Sequence, residues 1–323
     1  MRKCVLVLGM HRSGTSLLTG MLNLMGVYLG KDLMSPNEFN PKGYFENFEI
    51  YRINEGILSK LKSSWDSMEE LPSGWINRKE LSPYKKKLKK IISEEFKFSN
   101  VFALKDPRIC LLLPLYIHIL GELKIEVRYI ILKRKEIEIA ESLRKRDKFS
   151  LFKSFRLFKK YEYNIIKYTH DKKKIEIDFD DIITNPKKII LLLREFLGLK
   201  LKIDEKFLKI IKNFVDPKLR HYSIDNQDYI QIMKKEIDNL GLEKIGLEFN
   251  LNKKQQDTER LWNELQEKIN IIINKDKYIT ELESNLQNKD TKTNTLLNLN
   301  QISKTKTNTL LNLNQISKTK TNT

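Results

Sequence analysis

Val5-Leu6-Val7-Leu8-Gly9-Met10-His11-Arg12-Ser13-Gly14-Thr15-Ser16 decides how the rest of the chain reads. An apolar run stops at a glycine. A short polar loop with one arginine follows. A second glycine then opens Leu17-Leu18-Thr19-Gly20-Met21-Leu22, which reads as helix. The pattern predicts strand, loop and helix N-terminus. Such a loop turns successive backbone N–H groups inward, and the helix dipole adds partial positive charge. The site therefore suits a phosphate or a sulfate.

The spacing resembles the phosphate loop G-x-x-x-x-G-K-[ST], with one departure. Gly9 and Gly14 hold the glycine positions and Ser16 the hydroxyl position, but Thr15 stands where the lysine belongs. The positive side chain sits inside the loop instead, as Arg12. Nucleotide hydrolases use that lysine on the β- and γ-phosphates and the hydroxyl on Mg²⁺. Its loss argues against ordinary nucleotide hydrolysis and leaves anion binding intact.

The bulk numbers agree with an anionic ligand without requiring one. The 323 residues suit one large domain with an appendage. Sixty Lys and Arg against 42 Asp and Glu give a formal charge of +18. That balance favours nucleotides, sulfated glycans or anionic lipid, while simple solubility is the plainer account of a lysine-rich chain. No nucleic-acid-reading motif stands out. Cys4 and Cys110 lie in apolar runs, outside any C-x-x-C pair or metal-ligand cluster, and read as buried thiols. The apolar start is too short for a signal peptide and is cut off by His11-Arg12. The longest other apolar run, 109–120, holds Pro114 and His118 and falls short of the ~20 residues a membrane span needs. The expectation is a cytoplasmic protein with no membrane span and no metal.

Further along, strands alternate with helices. Residues 30–47 form a turn-rich loop broken by Pro36, Pro41 and Gly43, of a length that often makes lids or binding loops. Residues 48–61 read as a helix with Ile50, Ile53, Ile57 and Leu61 on one stripe. A loop over 63–82 carries Trp65 and Trp75, either of which can stack on a sugar or pack in the core. Helices are expected over 83–96, from 109, from 135 through 142, over 149–168, 186–197 and 204–214. Strands are expected at 101–104, 125–132 and 175–179. This order predicts an α/β fold: a P-loop-like parallel sheet with helices on both faces. Ligands of such sheets bind at the strands' carboxyl ends, where Gly9 to Arg12, Lys105 to Arg108 and Lys133-Arg134 all fall.

The character then changes. The expected domains are 1–225 for the nucleotide-binding fold and 226–250 for a linker. Residues 251–290 read as a short coiled coil, from Leu265, Ile272, Ile279 and Leu286 spaced by sevens. Residues 291–323 form a polar tail in which a 14-residue unit repeats. The coiled coil implies a homo-oligomer.

The opening loop with Arg12, together with Arg134 and Ser142, resembles the nucleotide-binding pair of sulfotransferases, which use 3′-phosphoadenosine 5′-phosphosulfate (PAPS). In that family the loop binds the 5′-phosphosulfate. A strand end then supplies an Arg, and the next helix a Ser eight residues later, for the 3′-phosphate. Ile130 to Arg134 followed by Ser142 matches. Glu136 departs from it, standing where many relatives have Pro. Lys105-Asp106-Pro107-Arg108 and Gly43-Tyr44-Phe45-Glu46-Asn47 resemble the bacterial branch associated with surface-polymer genes. The resemblance covers roughly residues 1–225.

It implies sulfuryl transfer from PAPS to a hydroxyl of a carbohydrate or glycolipid, helped mainly by positioning and charge. Arg12 is assigned to the phosphosulfate, with the backbone of Ser13 to Ser16 and the hydroxyls of Thr15 and Ser16. Arg134 and Ser142 are assigned to the 3′-phosphate. Glu46 is the first candidate for general base, a helix-start acid being its plain alternative; His11 and Asp106 follow. Lys105, Asp106 and Arg108 form a wall for sulfate or acceptor, or else a structural ion pair. Two other classes stay open: a small-molecule or nucleoside kinase with a degenerate loop, and a non-catalytic scaffold that presents the coiled coil.

Overall fold

The computed structural model describes residues 2–38, 40–215 and 231. Apart from residue 231, the expected linker, coiled coil and repeat tail lie outside the described residues.

Four strands form one parallel sheet: β1 (Lys3–Leu8), β2 (Val101–Lys105), β3 (Glu126–Lys133) and β4 (Lys174–Asp178), in the order β2-β1-β3-β4. Val5 lies opposite Ala103 on one side and Arg128 on the other, so β1 is central. Its run Cys4 to Leu8 is buried on both faces, which is why it reads as continuous hydrophobicity rather than alternation. Cys4, Leu6 and Leu8 pack into one layer with α2 (Phe48–Lys60), α3 (Ser82–Glu95), α4 (Leu113–Glu122), α5 (Glu136–Asp147) and α6 (Leu151–Thr169). Val5 and Val7 pack into the other with α1 (Thr15–Leu24), α8 (Pro186–Leu197) and α9 (Glu205–Phe214). The period-2 alternation of a strand thus feeds two separate cores. Truncating one of these side chains to alanine costs about 2–5 kcal/mol.

Several expected boundaries shift for physical reasons. Helix α1 ends at Leu24, and Gly26 follows with φ +86°. The helix expected from Ile109 begins instead at Leu113, with Pro114 in its first turn, after a tight 3₁₀ turn over Pro107–Cys110. Asp180 and Asp181 lie in the first turn of a short extra helix, α7 (Phe179–Thr184), and Asn185 caps α8 by accepting from the Lys188 N–H at 3.2 Å. Gly198 ends α8 with φ +67°, as its position suggested.

The sheet order sets the site. The chain leaves β1 toward β2 and leaves β3 toward β4, so a crevice opens between the carboxyl ends of β1 and β3.

Candidate active-site cleft

A cleft of about 460 Å³ lies at those carboxyl ends. Its floor is the loop after β1. Ser13 closes that loop by giving both its N–H and its hydroxyl to the Met10 carbonyl, at 3.2 and 2.7 Å. The Gly9 N–H meets the buried sulfur of Cys110 at 3.4 Å, which ties the loop to the turn after β2. Gly14 has φ +93°, and a Cβ there would fall 2.4 Å from the Phe179 ring. Thr15 and Ser16 open α1, whose first N–H groups have no intrahelical acceptor. The expected succession of strand, loop and helix N-terminus is present.

Arginines from two strand ends meet over this floor. Arg12, at φ +69°, donates from Nε to Ser142 Oγ at 2.7 Å. Arg134 donates from Nη1 to the Arg12 carbonyl at 2.9 Å and lies over the Phe179 ring at 4.5 Å. Burial, then Arg146 and Arg134 nearby, push the Arg12 guanidinium down to about 10, so it stays charged at neutral pH. Arg134 also pairs with buried Glu138 at 2.9 Å. Sequence reading missed Glu138, because Arg134 lies before the first residue of α5 and the two are not an ordinary helix pair. Glu136, the departure from the family pattern, pairs with Lys159 at 3.3 Å.

Lys105, at the end of β2, reaches three groups: Ser16 Oγ at 2.9 Å, the Tyr44 carbonyl at 2.9 Å and Glu46 Oε1 at 2.6 Å. Asn40 Nδ2 donates to the same Ser16 hydroxyl at 3.0 Å. The loop over 30–47 is therefore folded onto the phosphate loop. Burial pushes the Glu46 carboxyl up and Lys105 opposes it, with a net rise.

Asp106 is buried at 1% exposure and does not line the cleft. Its Oδ1 accepts from the Arg108 N–H and Nη1, both at 3.0 Å, and its Oδ2 accepts from Asn54 Nδ2 at 2.9 Å. Tyr116 completes this network by donating to Asn54 Oδ1 at 2.7 Å. Arg108 also pairs with Glu55 and covers the Tyr51 ring at 4.7 Å. Lys105 and Arg108 thus line the cleft, and Asp106 holds Arg108 in place.

His11 lines the cleft, with its ring 4.3 Å from that of Trp65. Its Nε2 is buried with no hydrogen-bond partner. Burial, then Arg108, Arg146, Lys105 and Arg12, hold it well below the usual histidine range, so the ring is neutral. Trp65 itself is packed by Phe149 and by the Arg146 guanidinium, while Trp75 is buried. Arg146 and its partner Asp147 reach the cleft without any motif to announce them.

The expected site residues are thus in one place, with Gly9, Ser13, Asp106 and Ser142 supporting the wall rather than lining it. Among the described residues, no cluster of three or more His, Cys, Asp or Glu side chains is arranged to hold a metal ion. No described helix is long and apolar enough to cross a membrane.

Fold and site together define an α/β protein with a cleft at its strand ends, lined by Arg12, Lys105, Arg108, Arg134 and Arg146. No protein-family model matches the chain, and no curated protein matches it. Among solved structures, it is similar to the sulfotransferase domain from the Synechococcus olefin synthase at 15% identity. That match has a TM-score of 0.41 and covers 72% of this chain and 94% of that one. It is also similar to the sulfotransferase domain from the curacin biosynthetic pathway at 13% identity, TM-score 0.38, covering 75% and 98%.

Proposed function

We propose that the chain moves a sulfuryl group from PAPS to a hydroxyl of a glycan or glycolipid, in the cytoplasm. The observation that carries this reading is the meeting of Arg12, Arg134 and Lys105, from three strand ends, over one phosphate-type loop. A donor with a phosphate at one end and a phosphosulfate at the other needs such a spread of cations. A cleft of about 460 Å³ is within the size range of nucleotide sites. Glycines that admit no Cβ and the first N–H groups of α1 fit an anion pressed close to the backbone.

Arg12 and the start of α1 hold the phosphosulfate, and Arg134 the 3′-phosphate. Ser142 acts through Arg12, whose Nε it receives. PAPS supplies the sulfuryl group on a phosphate leaving group. Arg12 stabilises the charge that collects on the leaving oxygen. Glu46 takes the acceptor's proton, its raised carboxyl being closer to working pH than an ordinary glutamate. His11, neutral and with a bare Nε2, is the second base.

A kinase would use the Ser16 hydroxyl for Mg²⁺. Here Lys105 and Asn40 donate to that hydroxyl, which favours the metal-independent reading. A thermal-shift panel separates the classes. Stabilisation by 3′,5′-ADP in EDTA supports sulfuryl transfer, stabilisation by ATP with Mg²⁺ supports a kinase, and no response supports a scaffold. Mass spectrometry of surface polysaccharide with and without the protein then identifies the acceptor by a sulfate-sized shift.

A further inference from the structure

An ammonium has three N–H donors, and Lys105 uses all three within the chain, on Ser16, Tyr44 and Glu46. The Lys105–Glu46 pair is 2.6 Å long, with side chains only 2% and 5% exposed, yet both residues line the cleft. Two of Lys105's partners come from the loop folded over the site, and the third is the hydroxyl at the end of the phosphate loop. A carboxylate therefore sits on the ammonium nearest the place where an anionic ligand meets that loop. In the sulfuryl-transfer reading, the sulfuryl group that extends past the 5′-phosphate competes with Glu46 for the same donor, and the 5′-phosphate alone does not reach it.

The influences on Glu46 pull in opposite senses. Burial and the nearby Asp106 disfavour its charge, while Lys105 and, less strongly, Arg108 favour it. Asp106 is committed to Arg108 and Asn54, and Arg108 to Asp106 and Glu55. Lys105 is thus the adjustable partner.

We propose that Glu46 is a built-in stand-in for the sulfuryl group. Lys105 leaves Glu46 for the sulfuryl oxygens when PAPS binds, and returns to Glu46 once only 3′,5′-ADP remains. This rests on the sulfuryl-transfer reading and adds a regulation to it. The base is released only in the donor-loaded site, so PAPS adds before the acceptor is activated, and the internal carboxylate favours release of the desulfated product. Lys105 keeps its proton throughout and changes only its acceptor. Glu46 then accepts the acceptor's hydroxyl proton as that oxygen bonds to sulfur and the sulfur–oxygen bond to the 5′-phosphate breaks. The electron pair of that bond stays on the phosphate oxygen.

The test is a calorimetric binding cycle in EDTA, with PAPS and 3′,5′-ADP as probes and thermal melts as a folding check. Glu46→Gln removes the competing charge. It is expected to tighten PAPS about tenfold, the scale of one charge-assisted hydrogen bond, and to leave 3′,5′-ADP unchanged. Lys105→Met is expected to weaken PAPS toward the affinity of 3′,5′-ADP, and to abolish the effect of Glu46→Gln when the two are combined. The Lys105→Met arm stands alone if Glu46→Gln does not fold. Equal changes for both nucleotides, or a Glu46→Gln effect that survives in the Lys105→Met background, would overturn the stand-in role and leave the donor assignment intact. Failure of the wild type to bind either nucleotide would overturn both.

Discussion

Arg12 and Ser142 are 130 positions apart, and the Arg12 Nε donates to the Ser142 hydroxyl at 2.7 Å. This one contact joins the phosphate loop to helix α5. It helps aim the Arg12 guanidinium, and it puts the two halves of the sequence motif on one charge.

Arg12→Ala should therefore remove catalysis without removing the fold. A loss of about 10²–10³ in turnover is the scale for one preorganised charge donor, with a melting temperature close to wild type. Ser142→Ala should act more gently, about tenfold in donor affinity, since it removes one hydrogen bond from Arg12 and keeps the charge. Steady-state kinetics beside thermal melts check both.

Gly14→Ala should damage the loop itself. Gly14 has φ +93°, and the added Cβ would lie 2.4 Å from the Phe179 ring. A destabilisation of about 1–3 kcal/mol follows from the strained backbone alone. Urea unfolding should show it, together with loss of nucleotide binding. Gly26→Ala is the control: φ +86° but open space around its Cβ, so a stability loss without a binding loss.

Asp106→Ala should cost stability rather than chemistry at first. It strips a buried carboxylate from Arg108 and Asn54. About 3 kcal/mol is expected for breaking such a buried pair from one side, read as a lower urea midpoint. Arg108 retains Glu55, so a folded fraction should persist.

His11 should give the fold a pH slope. Folded His11 is held neutral, while the unfolded chain protonates it near its ordinary value. Below about pH 6.5 the unfolded state binds the extra proton, so stability falls as pH falls and is regained as pH rises through that value. His11→Gln should flatten this slope between pH 5 and 8. Denaturant titrations at several pH values measure it.

The phosphate loop was legible because its chemistry is local: two glycines, one arginine and a helix start within twelve residues. The alternation of apolar runs was equally open, since β1, β2 and β3 are buried over most of their length on both faces. The Lys105–Glu46 and Arg12–Ser142 contacts were not. Each joins segments 59 or more positions apart, and no periodicity encodes which side chain meets which. Glu138 was hidden because it looks like an ordinary surface acid at a helix start, yet it is fully buried against Arg134. The helix expected from Ile109 starts at Leu113 instead, because apolar residues in a short run carry no sign of where 3₁₀ geometry ends.

The most direct measurement is transfer of labelled sulfate from PAPS into a carbohydrate acceptor pool by the purified chain in EDTA, with Arg12→Ala alongside. Expected is acceptor-dependent label transfer with matching release of 3′,5′-ADP, lost in Arg12→Ala. Label transfer by Arg12→Ala at the wild-type rate, or a wild type that ignores PAPS and instead consumes ATP with Mg²⁺, would contradict it.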